Sequence, residues 1–171
     1  EGRHTGIAQP ERLSDTSVPA FVGRRQQHID FAARAVMVFT PATAHEEAGL
    51  ALRQRGTHNI RFVCTETTTG DTVVRLVRCE AETETLIAEQ PVTPGRLYLK
   101  VEAVGQRYSF AYATAPEDWQ VLAGDVDGRV LSTPVAGGFV GAYIAMYASS
   151  NGMESDNYAD FDGFEYRGID R

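Results

Sequence analysis

Apolar and polar residues alternate with a period of two along most of the chain, the pattern of strands with one buried face. In HNIRFVCTE (58–66), Ile60, Phe62 and Cys64 share one side. DTVVRLVRCE (71–80) follows Thr69-Gly70-Asp71, turn residues that read as the tip of a hairpin. RLYLKVEAV (96–104) sets Leu97, Leu99 and Val101 against Tyr98, Lys100 and Glu102 on the opposite side. After Gly105, QRYSFAYAT (106–114) lines up Tyr108, Phe110 and Tyr112, and these two segments form the clearest hairpin. Further strands are expected at AVMVFT (35–40), AGLALRQ (48–54), ETLIAE (84–89), WQVLA (119–123), GFVGAYIAMYA (138–148) and YADFDGFEY (158–166).

Helical periodicity is weak. TPATAHEEAG (40–49) has room for one short helical turn, confined by Pro41 and Gly49. About ten or more short strands without alternating helices predict an all-β fold. The choices are a two-layer antiparallel sandwich of jelly-roll type or a barrel. No fixed-period repeat suggests a propeller or solenoid. Residues 1–19 read as an irregular segment or a first edge strand, and residues 20–171 as one β-sandwich domain.

A chain of 171 residues can bury one sizeable core without metals or disulfides. The net charge of −7 argues against nucleic acid as a partner and suits a neutral ligand such as a sugar. No apolar run approaches the roughly 20 residues of a membrane-spanning helix. The start, EGRHTGIAQPERLSD, lacks the basic-then-apolar pattern of a signal peptide, which favours a cytoplasmic setting. Cys64 and Cys79 fall in the two strands of one hairpin, where a cross-strand contact is conceivable. Free buried thiols are the favoured expectation, because nothing else indicates an oxidising compartment. Neither has a His or Cys at zinc-ligand spacing.

The four histidines, His4, His28, His45 and His58, form no local motif with one another or with a nucleophile. In GRRQQH (23–28), Arg24 and Arg25 can pair with an acidic partner surface or with this chain's own surplus carboxylates. Trp119, the only tryptophan, can stack on a sugar ring, but rim or core packing is favoured beside the preceding turn. Gly137, Gly138 and Gly141 surround Phe139 and weaken a strand unless a bulge or close backbone approach needs them. Phe139 is then either core or an aromatic presented to a partner.

Asp160 and Asp162 stand two apart among aromatics in NYADFDGFEY. On one strand they are roughly 7 Å apart, within the roughly 6.5–9.5 Å of the acids of an inverting glycosidase. Yet two adjacent same-face residues flank no cleft. Solvent-facing or hydrogen-bonded aspartates are favoured, ahead of a calcium site with Asn157 nearby, and then catalysis.

The ordered set AFVGRRQQHIDF, EEAGLAL, LYLKVEAVGQRYSFAYATAPEDWQVL, LSTPVAGGFVGAYIAMYASSNG and NYADFDGFEY, from about Ala20 to Tyr166, resembles the C-terminal concanavalin A-like domain of glycoside hydrolase family 43 β-xylosidases. The resemblance implies an antiparallel β-sandwich appended to a five-bladed propeller that supplies the inverting acids. It implies no catalytic residue in this chain. Phe139 in GGFVGA resembles the aromatic that narrows the xylose pocket in some members. Arg24, Arg25 and His28 would support the domain junction. An apolar patch around Phe139, bare without its partner, would favour self-association. Nothing in 171 residues is long enough to hold the propeller, so hydrolysis of xylosides by this chain alone is not expected. The alternative is an independent carbohydrate-binding module that takes xylo-oligosaccharides, with Trp119, Tyr143 or Tyr147 as the platform. No cofactor is implied, calcium at Asp160 and Asp162 aside.

Overall fold

The structure is a computed structural model. It describes residues 11–12, 23–25, 30–55, 58–81, 83–105, 107–128, 143–151 and 157–168. The strands are β1 (Glu11–Arg12), β2 (Gly23–Arg25), β3 (Phe31–Phe39), β4 (Glu47–Arg55), β5 (His58–Glu66), β6 (Thr72–Glu80), β7 (Thr83–Pro91), β8 (Gly95–Val104), β9 (Arg107–Ala113), β10 (Gln120–Asp127), β11 (Tyr143–Ser149) and β12 (Tyr158–Gly168). They form two six-stranded sheets, ordered β1-β12-β3-β8-β9-β10 and β2-β11-β4-β5-β6-β7. Neighbours run antiparallel throughout. Of the two architectures that the strand pattern allows, this is the two-layer sandwich and not the barrel. Among the described residues there is no helix, and the 42–46 segment is a turn closed by Glu46 N donating to Thr43 O at 3.2 Å.

The hairpins form where the turn residues stand. Between β5 and β6, Thr67 N donates to Asp71 O at 2.8 Å and Gly70 N to Thr67 O at 3.0 Å. Gly70 has φ 91°, a conformation that glycine adopts without a Cβ penalty. Between β8 and β9, Gly105 has φ 61°, and its N–H donates to Asp30 Oδ1 at 2.8 Å. That bond ties the hairpin tip to the start of β3.

The core lies between the sheets, filled by the predicted inner faces: Ile60, Phe62 and Cys64 from one sheet, and Leu97, Leu99, Val101, Tyr108, Phe110 and Tyr112 from the other. Aromatic rings run through it. Tyr166 stacks on Phe31 at 5.4 Å, Phe31 meets Tyr108 edge-on at 5.8 Å, and Tyr108 lies 6.5 Å from Phe110. Phe110 then crosses to Phe62 of the opposite sheet, at 5.4 Å and 80°. Phe31 and Tyr108 belong to strands separated by β8. They meet because the residue in register between them is Ala103, too small to part the rings. Such ring pairs add roughly 0.5–1.5 kcal/mol each beyond the area they bury.

Cys64 and Cys79 are both buried, and neither is in a disulfide. This is the favoured expectation, and the conceivable cross-strand contact does not form, because the register sets Cys64 opposite Val74 and Cys79 opposite Asn59. Cys64 points into the core, and Cys79 has the opposite parity on the sheet. On the outer face of the second sheet, Gly49 lies opposite Val63. A Cβ at Gly49 would collide with the Phe62 carbonyl oxygen and stand 2.8 Å from Val63 Cα.

Two measurements test this packing. Gly49→Ala forces two strand backbones apart and should lower stability by about 1–3 kcal/mol in urea unfolding. Burial pushes the Cys64 thiol up to about 12 from its ordinary 9.0. The folded chain therefore keeps a proton that the unfolded chain loses, so stability falls as pH rises from 9 towards 12. Between pH 8 and 10.5 wild type should lose about 2 kcal/mol more than Cys64→Ala.

Candidate functional site

The outer face of the first sheet carries a groove of about 420 Å³. Its floor is Gly163, Val36 and Tyr98, one row of the register across β12, β3 and β8. Pro116, Glu117 and Trp119, in the turn before β10, form one wall. Arg34 and Glu165 close one end, and Arg96 and Asp162 the other. A second cavity of about 170 Å³ shares Arg34, Glu117, Trp119 and Glu165 and continues past Lys100 and Glu102.

Local chain geometry builds these walls. The β12 ladder slips between Phe161 and Gly163, the mark of a β-bulge with Asp162 as the extra residue. The bulge lets Phe161 and Phe164, three apart, both enter the core. Asp162 is exposed and held by Arg96 Nη2 at 2.6 Å, a hydrogen bond that raises the Arg96 pKa further. Across the groove, Asp118 N donates to Ala115 O at 3.2 Å, and Glu117 is left-handed with φ 62°. Its carboxylate accepts from Trp119 Nε1 at 3.4 Å and stands 3.5 Å from Arg34 Nη1. Arg34 Nη2 is 3.6 Å from Glu165. Trp119 is half-buried at the rim, and the Lys100 ammonium lies 4.4 Å from its ring centroid.

The other residues singled out in the sequence fall elsewhere. Gly23, Arg24 and Arg25 form β2, which pairs with β11 in the register Tyr143 to Arg25, Ile144 to Arg24 and Ala145 to Gly23. The GRR segment thus flanks the strand that directly follows GGFVGA. Phe139 and His28, and the side chains of Arg24, Arg25 and Tyr143, lie outside the described residues. Tyr147 of β11 is half-buried on the outer face of the second sheet. Its hydroxyl is pushed up to about 12 by burial and by Glu47, while Ser149 and Arg61 pull the other way. Asp160 is half-buried opposite Val38. Among the described residues, no group of three or more His, Cys, Asp or Glu is arranged to hold a metal ion.

Beside Tyr147 runs an ion-pair network across the sheet. Arg61 Nε donates to Glu47 Oε2 and Arg61 Nη1 to Glu84 Oε2, both at 2.9 Å. Burial works against the Arg61 charge, but Glu47 and Glu84 outweigh it and raise the guanidinium pKa.

Sequence reading did not single out Arg34, Arg96, Glu117 or Glu165. They come from distant segments, and only the strand order brings them together. The available signal was Tyr98, an aromatic on the outward side of a strand whose inward side was already full.

Comparison with known proteins gives a consistent result. The family described as the beta xylosidase C-terminal concanavalin A-like domain matches residues 6–167. A non-reducing end alpha-L-arabinofuranosidase of Bacteroides ovatus, BoGH43B, is 35% identical over 154 residues, spanning 89% of this chain and 28% of that protein. A xylosidase/arabinosidase of Butyrivibrio fibrisolvens is 30% identical over 91% of this chain and 30% of its own length. The chain thus spans less than a third of either curated relative. Among solved structures, Bacteroides ovatus xyloglucan PUL GH43B superposes with a TM-score of 0.83 at 29% identity, over 94% of this chain and 32% of that one.

The ion-pair network yields a direct test. Arg61→Met leaves the largely buried Glu47 carboxylate without its guanidinium and should cost about 3 kcal/mol in chemical unfolding. Pairing it with Glu47→Gln should recover part of that loss.

Proposed function

Because the chain belongs to the family of β-xylosidase C-terminal concanavalin A-like domains, we propose that it is the accessory β-sandwich of a glycoside hydrolase family 43 enzyme, packing on a catalytic propeller and helping to shape a xyloside pocket. The observation that carries this reading is proportion. The chain matches 28% and 30% of enzymes named for arabinofuranosidase and xylosidase/arabinosidase activity, so most of each lies outside the matched region.

The pairing of β2 with β11 supports a location for the junction. It brings Gly23–Arg25 beside the strand entered from the Phe139 segment, although more than a hundred residues separate them. In this reading Phe139 contacts the neighbouring domain, and Arg24 and Arg25 pair with its carboxylates. The sandwich itself supplies no hydrolytic acids in this reading.

Two assays test it. The 171-residue chain alone should not turn over 4-nitrophenyl β-xyloside or 4-nitrophenyl α-L-arabinofuranoside, and turnover above buffer would overturn the proposal. In a protein that joins the chain to a family 43 propeller, Phe139→Ala should lower kcat/KM about tenfold without moving the melting temperature.

A further inference from the structure

We propose that the groove between Trp119, Tyr98 and the Arg96–Asp162 pair is a binding site for a neutral saccharide chain. It belongs to the first sheet, whereas β2 and β11 belong to the second. The site is therefore separate from the proposed propeller junction and does not depend on it.

Four observations converge on this chemistry. The groove's volume of about 420 Å³ falls within the roughly 300–1,000 Å³ of small-molecule sites, and the second cavity extends it into a trough. The trough carries two aromatics. Trp119 lines both cavities, and Lys100, which lies over its ring, lines only the smaller one. A flat apolar ring face of this kind matches the C–H face of a sugar.

The charged groups of the larger cavity are Arg34 and Arg96 against Glu117, Asp162 and Glu165. Guanidinium donors and carboxylate acceptors side by side match vicinal hydroxyls, which both donate and accept. These groups are paired with one another, Arg34 with Glu117 and Glu165 and Arg96 with Asp162, so the groove offers little net charge to recruit a polyanion or a polycation. A neutral, hydroxyl-rich chain is what remains.

Glu117 supplies the fourth observation. A non-glycine residue in the left-handed region is strained, and strain of this kind clusters at ligand sites. Here it aims one carboxylate at both Trp119 and Arg34.

Trp119 is the only tryptophan, so its fluorescence reports on the groove alone. Xylohexaose added to the full 171-residue chain should change the emission saturably, with matching heat in calorimetry. Trp119→Ala should weaken the calorimetric affinity at least about tenfold, and Arg96→Ala several-fold. Glu117→Gly should also weaken binding while holding or raising the melting temperature, because it relieves the left-handed strain. Should Trp119→Ala fail to fold, Trp119→Phe and Arg96→Ala carry the test. The proposal is overturned by an absence of saturable response to xylohexaose and cellohexaose, or by affinity unchanged in Trp119→Phe and Arg96→Ala. Polygalacturonate binding more tightly than xylohexaose overturns it as well.

Discussion

The contact between Phe62 and Phe110 is where the two sheets become one body. Each ring sits on the inner face of its own sheet, and their edge-to-face meeting fixes how far apart the layers stand. From Phe110 the ring contacts continue through Tyr108 and Phe31 to Tyr166. The last strand is thereby held in the same core as the hairpins. Ala103 is as necessary as the rings, since a larger side chain there would part Phe31 from Tyr108. Everything on the outer faces is positioned by strands whose inner faces are locked in this way.

The two outer faces are used differently. On the second sheet, Arg61, in register with the small Ala51, lies between Glu47 and Glu84 and staples β4, β5 and β7. On the first sheet, larger residues stand up around an open trough. The bulge at Asp162 is decisive there. Without the extra residue, a strictly alternating strand could not bury both Phe161 and Phe164.

Most of the fold was legible because half-buried strands write their inner faces into alternation. Segments 58–66 and 96–104 were bounded to within a residue of β5 and β8. An all-β sandwich or barrel follows from that pattern, and the choice of the sandwich follows from the family resemblance of the ordered motifs. Strand order was not legible. Placing β12 between β1 and β3 depends on contacts more than a hundred residues apart. The groove was hidden for the same reason. Trp119 and Asp162 stand out singly, but nothing in the sequence joins them to Arg34 and Tyr98, and only the register brings the four to one groove. The bulge did leave a trace, in the three-residue spacing of Phe161 and Phe164. A period-two count passes over it, because both aspartates still point outward.

The edges of the two sheets bear on how such a domain behaves at high concentration. On one flank β7 and β10, an edge strand from each sheet, lie in contact. On the other, the described edge strands are β1 and β2, of two and three residues. A strand that short offers a foreign chain few unpaired amides and carbonyls to copy. Arginine and glutamate make up all of β1 and most of β2, and charge at an edge discourages a like edge from approaching. Among the described residues, the sheets thus end in poor templates for strand addition, the characteristic hazard of an all-β protein.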